Sequence, residues 1–373
     1  MTVASLMFAT SFPIAFTDHL VSNTIGTLIP PITPISGAET RVGVNGDIPV
    51  GLGLKLWESR ADVHLLYAGS IVDANKILDM IELALQRETY SRKINQQIKR
   101  FVAQSGLNAS FIVVYLSHRG RVSFCSSDEA QHYIDKHFRR VVMIGSGKPA
   151  LVQIINTVSG QLKAPLPSLK HDQTGHVFQA IARSLAVVAR STIDYMSGSA
   201  SSFAAQSTGG YFCISYFLDL YWRDQAPPAF LDNSLCQIFT EADVDQIYLT
   251  RLIVSQRAPG LGYMDVFVFV GRQPISLNDT VISLPLSSFS HTSIANVRKQ
   301  STHNPMDPLG RRLDLFQIIA YAALPMNGRI TRTHTVEFSA AVAVDLTDTH
   351  QAIELTLHRP LIAKLWARLL KAF

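Results

Sequence analysis

The chain opens Met1-Thr2, and Thr2 is the residue whose chemistry asks most of its surroundings. With Met1 removed, Thr2 carries a hydroxyl nucleophile and an α-amine on one residue. An α-amine with an intrinsic pKa of about 7.7 to 8.0 can serve as general base near neutrality. A lysine ammonium beside it lowers that value and assists the hydroxyl electrostatically, while a carboxylate orients and compensates the lysine. The chemistry needs one threonine, one cation and one carboxylate close together. Without them, Thr2 is an ordinary strand residue.

Several segments carry these residue types. Asp18, in FTDHLVS, follows Thr2 by sixteen residues, and Lys55 opens KLWES. Fourteen residues beyond Lys55 stands Gly69, in YAGSIVDANKIL, with Asp73 close behind it. Later come MIGSG, which contains Ser146, and STGGYF over residues 207–212.

Over about residues 2–218 this set resembles the proteasome β-subunit and bacterial proteasome-like peptidase family, which has the N-terminal nucleophile hydrolase fold. The resemblance implies an α+β chain built as a four-layer αββα sandwich. It implies Thr2 as nucleophile, Lys55 and Asp18 as its activating pair, the Gly69 N–H as oxyanion donor and Ser146 as an auxiliary serine ordering the terminal amine. It also implies a peptide or protein substrate, a homo-oligomer, an ATPase or other protein as candidate partner, and no cofactor or metal.

Two departures bear on activity. The interval from Asp18 to Lys55 is longer than the family's, so the Pro/Gly-rich residues 23–51 must loop out for Lys55 to return. The aspartate that the family has three residues before its late serine is replaced by Ala204 or Ala205. A catalytically inactive scaffold or interaction protein of the same fold therefore stands beside the threonine peptidase as the second reading.

Every candidate also has a plain structural role. Asp18 can cap a turn, Lys55 can be an exposed strand cation, Gly69 a strand-end turn and Gly145-Ser146-Gly147 a turn alone. His64 and His118 form no metal-ligand series, and Cys125 and Cys213 lie in apolar, strand-like stretches as packed cysteines. Asp194 falls four residues after Arg190, the spacing of an intrahelical ion pair.

The elements that must position these residues follow from periodicity. TVASLMFA and PIAFTDHLVS read as strands, as do LGLKLWES and ADVHLLYAGS. From Asp73 the period becomes helical: Ile77, Ile81, Ala84 and Leu85 share a face, then Ile94, Ile98, Phe101 and Val102 after Ser91. SFIVVYLS and RVSFCSS read as a hairpin around Arg119-Gly120, DEAQHYIDKHF as a short helix and RRVVMIGSG as a strand into a turn. Val177 to Ala189 gives a third helix and YFCISYFLDLYW a late strand. Consecutive strands followed by paired helices point to layers rather than to strand-helix alternation.

A soft boundary near RDQAPP divides residues 1–224 from a mixed strand and helix extension, 225–373, of unknown role. In the extension YMDVFVFVG, DTVISLPL, RTHTVEFSAAVAVDL and QAIELTLHR read as strands, and LDLFQIIAYAAL and LIAKLWARLLKAF as helices. The last helix presents Leu361, Ile362, Leu365, Trp366, Leu369 and Phe373 on one face, opposite Lys364, Arg368 and Lys371, which suits packing on the body or on another subunit ahead of the alternative, a membrane-surface helix.

Composition bounds the rest. With 373 residues, 47% hydrophobic and 16% charged, the chain can bury a large core and is neither disordered nor fibrous. The net charge of +5, with no basic arm or aromatic-basic repeat, gives no nucleic-acid argument. Three cysteines fit a reducing compartment, the N-terminus lacks a basic signal region, and no apolar run reaches the roughly 18 residues of a membrane span. Those features lead to a cytoplasmic expectation with no stable membrane insertion.

Overall fold

The computed structural model describes residues 3–8, 13–23, 48–60, 63–86, 90–161, 212–217, 219, 235–242, 245–257, 264–294, 318–326, 329–337, 344–348 and 351–370. Over these it is a mixed α/β chain in which strands dominate.

The first strands are β1 (Ala4–Met7), β2 (Ile14–Asp18), β3 (Leu20–Asn23), β4 (Ile48–Leu52), β5 (Leu56–Arg60) and β6 (Val63–Gly69). Helices α1 (Ile71–Leu85) and α2 (Arg92–Ser105) follow. Then come β7 (Ala109–Leu116), β8 (Val122–Ser126), β9 (Gln131–Asp135), β10 (Arg139–Ile144), α3 (Lys148–Gln161) and β11 (Phe212–Tyr216). They build a five-stranded sheet, β11-β2-β1-β10-β9, a four-stranded sheet, β5-β6-β7-β8, and the separate pair β3-β4.

Alternation along β6 explains the layering. Leu66 and Ala68 join Leu54, Leu56, Ile112 and Val114 against Ala4, Leu6, Ala15, Val142 and Ile144 of the five-stranded sheet. Val63, Leu65 and Tyr67 point the other way, into Ile77, Leu78, Ile81, Leu85, Ile94 and Ile98 of the two helices. Side chains on a strand alternate faces, so one strand serves both cores. Each fully buried Leu or Ile contributes about 2 kcal/mol of apolar burial. The helices start where the sequence caps them: Ser70 Oγ accepts from Asp73 N and Ser91 Oγ from Ile94 N. Gly106, at φ 59°, ends α2 in the left-handed conformation.

Two sequence expectations are corrected here. DEAQHYIDKHF is not a helix, because Gln131–Asp135 pairs antiparallel with β10. The Asp135 carboxylate accepts from the N–H groups of His137 and Phe138, which closes a tight turn instead of continuing a helix. In LDLFQIIAYAAL the described part, from Ile318 on, is strand rather than helix. A short apolar run fits either element, and here Ile318–Met326 lies between two strands of a sheet. The helix expected at Val177 to Ala189, with the Arg190 and Asp194 pair, lies outside the described residues. Helix α3, Lys148–Gln161, has no counterpart among the sequence expectations.

The later strands are β12 (Leu235–Ala242), β13 (Ile247–Arg257), β14 (Met264–Ile275), β15 (Thr280–Pro285), β16 (Phe289–Ile294), β17 (Ile318–Met326), β18 (Arg329–Glu337), β19 (Val344–Asp348) and β20 (Ala352–Leu357), before α4 (Arg359–Leu370). They form a six-stranded sheet, β16-β14-β13-β12-β17-β18, and a three-stranded one, β15-β20-β19. Within the six-stranded sheet only β12 and β17 run parallel. Helix α4 packs on β17 and β18 and buries Leu361, Ile362 and Leu365. The Asp279 carboxylate accepts from Arg359 N at the start of α4. Among the described residues no helix is long and apolar enough to cross a membrane.

Candidate active site

The site is set by where the chain brings Asp18 and Lys55. β2 ends at Asp18 and β3 begins two residues later, while β4 ends three residues before Lys55. Leu20 pairs with Leu52 in the β3-β4 ladder, and Gly53 N donates to the His19 carbonyl at 2.8 Å. The long interval is thereby closed at its base. Residues 24–47, between the paired flanks, lie outside the described residues.

Lys55 Nζ donates to Asp18 Oδ1 at 2.8 Å and to the Leu20 carbonyl at 2.6 Å. The two side chains are 3% and 0% exposed, which makes this a buried ion pair and not a surface one. The same Asp18 oxygen accepts from Val3 N at 2.9 Å, and Asp18 N donates to the Val3 carbonyl at 3.1 Å. Asp18 thus ties the start of β1 to the lysine. Burial holds the Lys55 ammonium below its ordinary pKa of 10.5, while the charge of Asp18 and its hydrogen bond oppose that shift. Phe212, at the end of STGGYF, pairs with Asp18 across β2 and β11.

Gly69 ends β6 at φ +100°, and an added Cβ would stand 2.6 Å from the Asn108 carbonyl oxygen. Only glycine fits that approach without strain. The neighbouring turn is fixed by Ser70 N donating to that carbonyl at 2.8 Å and by Asn108 N donating to Asp73 Oδ2 at 3.1 Å. The Ser70 bond marks Gly69 and Ala109 as a non-hydrogen-bonded pair of the antiparallel ladder. The Gly69 N–H therefore turns away from β7, toward the edge of β6 where Tyr67 N meets the Lys55 carbonyl at 3.2 Å.

Ser146 is exposed in the turn between β10 and α3, after Gly145 at φ 91°. It lies two residues beyond Ile144, which pairs with Ala4 of β1. The structure therefore joins Asp18 and Lys55 directly, while Gly69 ends β6, the partner of β5, and Ser146 follows β10, the partner of β1. Thr2, the expected nucleophile, lies outside the described residues, as do Ala204 and Ala205.

One residue of this site was missed in the sequence. The Tyr67 hydroxyl donates to the Leu54 carbonyl at 3.0 Å, and burial, then the Asp18 charge, push its phenol upward. Its only sequence signal was its place two residues before Gly69 on a strand. His64 packs against the Phe217 ring at 4.9 Å, and Cys125 is half-buried with its thiol pushed up first by burial. Among the described residues no group of three or more His, Cys, Asp or Glu side chains is arranged to hold a metal ion.

No protein-family model matches the chain, and no curated protein is significantly similar to it. Among solved structures, eukaryotic HslV from Trypanosoma brucei is similar over 57% of this chain and 98% of that one, with 13% identity and a TM-score of 0.30. That likeness is too distant to give any residue here a role.

Proposed function

We propose that the chain is a threonine-type amidohydrolase, a peptidase, acting through Thr2 once Met1 is removed. The observation that carries this reading is the buried Lys55 and Asp18 pair bonded to the main chain of Val3. Thr2 is joined to Val3 by one peptide, about 3.8 Å between Cα atoms. An ammonium has three donors; Lys55 directs two at Asp18 and Leu20, and in this reading the third is assigned to Thr2.

In this reading Thr2 Oγ1 attacks the substrate carbonyl, and its own α-amine takes the proton directly or through water. The Gly69 N–H stabilises the tetrahedral oxyanion, a contribution of order 10²-fold or more for one such donor. Collapse breaks the C–N bond and returns the proton to the leaving amine. Water then hydrolyses the acyl ester on Thr2. Lys55 tunes and positions the nucleophile, Asp18 orients and compensates Lys55, and Ser146 orders the amine.

The fold proposed for residues 1–224 is the full αββα sandwich. Supporting it are the helix layer, the two facing sheets and the contact of α3 with β9 on the five-stranded sheet. Residues 225–373 are proposed as a separate extension, supported by sheets that recruit strands only from β12 onward. A self-associating, cytoplasmic protein with a protein or peptide substrate completes the proposal.

The test is a broad peptide-substrate screen with verified Met1-free protein. Thr2→Ala should abolish turnover with the fold intact, and Lys55→Ala should reduce the chemical step by about 10²-fold or more. Turnover that survives Thr2→Ala rejects Thr2 as the nucleophile, and no turnover in the correctly processed assembly moves the choice to a noncatalytic scaffold.

A further inference from the structure

We propose that Tyr67 is a positioning residue of this site, holding the Leu54–Lys55 segment so that the Lys55 ammonium stands at a fixed point. Two bonds from one residue carry the inference. The Tyr67 hydroxyl donates to the Leu54 carbonyl at 3.0 Å, and its main-chain N–H donates to the Lys55 carbonyl at 3.2 Å. These carbonyls flank the Lys55 backbone on both sides. Tyr67 itself is 6% exposed and anchored among Ile77, Ile81 and Phe111, so the clamp is fixed to the helix-facing core.

The clamp is needed because Lys55 lies just before β5, whose pairing with β6 begins at Leu56. Ahead of Lys55, Leu54 is fully buried. A buried carbonyl that loses its donor is costly, so the segment would shift to find another. Any shift moves an ammonium whose two bonds, to Asp18 and Leu20, are already short. Tyr67 also lies on the strand that ends at Gly69, so lysine and oxyanion donor are registered against each other by one element. The role in turnover rests on the reading of Thr2 and Lys55 as an activated pair; the positioning of Lys55 does not.

Tyr67→Phe removes the hydroxyl bond and leaves ring packing and main-chain bond in place. In Met1-free protein it should lower kcat on the order of tenfold while KM stays within about twofold, as expected for a misplaced group acting in the chemical step. In protein labelled with ¹⁵N-lysine, the Lys55 ammonium resonance should shift, and its titration should move up toward 10.5 as water reaches the loosened segment. Tyr115→Phe, on β7 and outside the site, serves as control and should change neither. An unchanged Lys55 resonance and titration in Tyr67→Phe, or a loss confined to KM, overturns the proposal. If the processed wild type turns over no peptide, the peptidase reading fails, and the ammonium measurement still decides the role of Tyr67.

Discussion

The Lys55 ammonium stands 2.8 Å from the Asp18 carboxylate, buried, across an interval of 37 residues. Sealing two charges away from water costs several kcal/mol each, and only close geometry with further hydrogen bonds offsets it. Here the further bonds come from Val3 N to the carboxylate and from the ammonium to the Leu20 carbonyl.

Breaking the pair from one side should therefore be severe. Asp18→Asn is predicted to destabilise the fold by about 3 to 5 kcal/mol, because the Lys55 charge stays buried without its counter-ion. Replacing both together, as Asp18→Leu with Lys55→Met, should recover much of that loss. Urea unfolding of the three proteins checks it; a loss below about 1 kcal/mol for Asp18→Asn would be the behaviour of a surface pair.

At Gly69 the expected cost is conformational. Gly69→Ala forces a Cβ onto the Asn108 carbonyl at φ +100°, and should destabilise by about 1 to 3 kcal/mol. Thermal unfolding reads this directly, and an unchanged midpoint would mean that the turn relaxes without strain.

Alkaline pH should separate two buried groups of opposite sign. Lys55 has a folded-state pKa below 10.5, so between those two values the unfolded chain binds the extra proton and the Lys55 contribution to stability rises with pH. Tyr67 has a folded-state pKa above 10.0, so above that value the unfolded chain loses a proton the folded chain keeps, and its contribution falls with pH. Unfolding free energies measured as a function of pH should lose the rising part in Lys55→Met and part of the fall in Tyr67→Phe. Unchanged slopes in both variants would contradict this.

Self-association is predicted through the outer face of α1, where Val72 is 67% and Leu83 54% exposed. Solution scattering should give a particle larger than one chain, and Leu83→Asp should reduce its mass by at least about twofold. A monomer across a broad concentration range would reject it.

The sequence made the first sheets legible because TVASLMFA, PIAFTDHL and ADVHLLYAGS are apolar runs bounded by turn residues, and it made α1 and α2 legible through their apolar spacing, with Ser91 ahead of the second. Asp18 and Lys55 could be singled out as residue types at intervals. Tyr67 could not, since its role depends on which carbonyls the β5-β6 register sets opposite it. Helix α3 has Pro149 in its first turn and Ala150, Leu151, Ile154 and Ile155 buried, a helical signal hidden by the glycines before it. Strands β12, β13 and β16 have no counterpart among the sequence expectations, and the runs that form β9 and β17 read as helices, because a short apolar run takes its form from the sheet it joins.

The most direct test of the account is a mass measurement of the N-terminal peptide of protein from its native cell, after treatment with an electrophilic threonine probe. The expected result is a peptide that begins at Thr2 and carries the probe. A retained Met1, or a free Thr2 left unmodified in the correctly processed assembly, would contradict it.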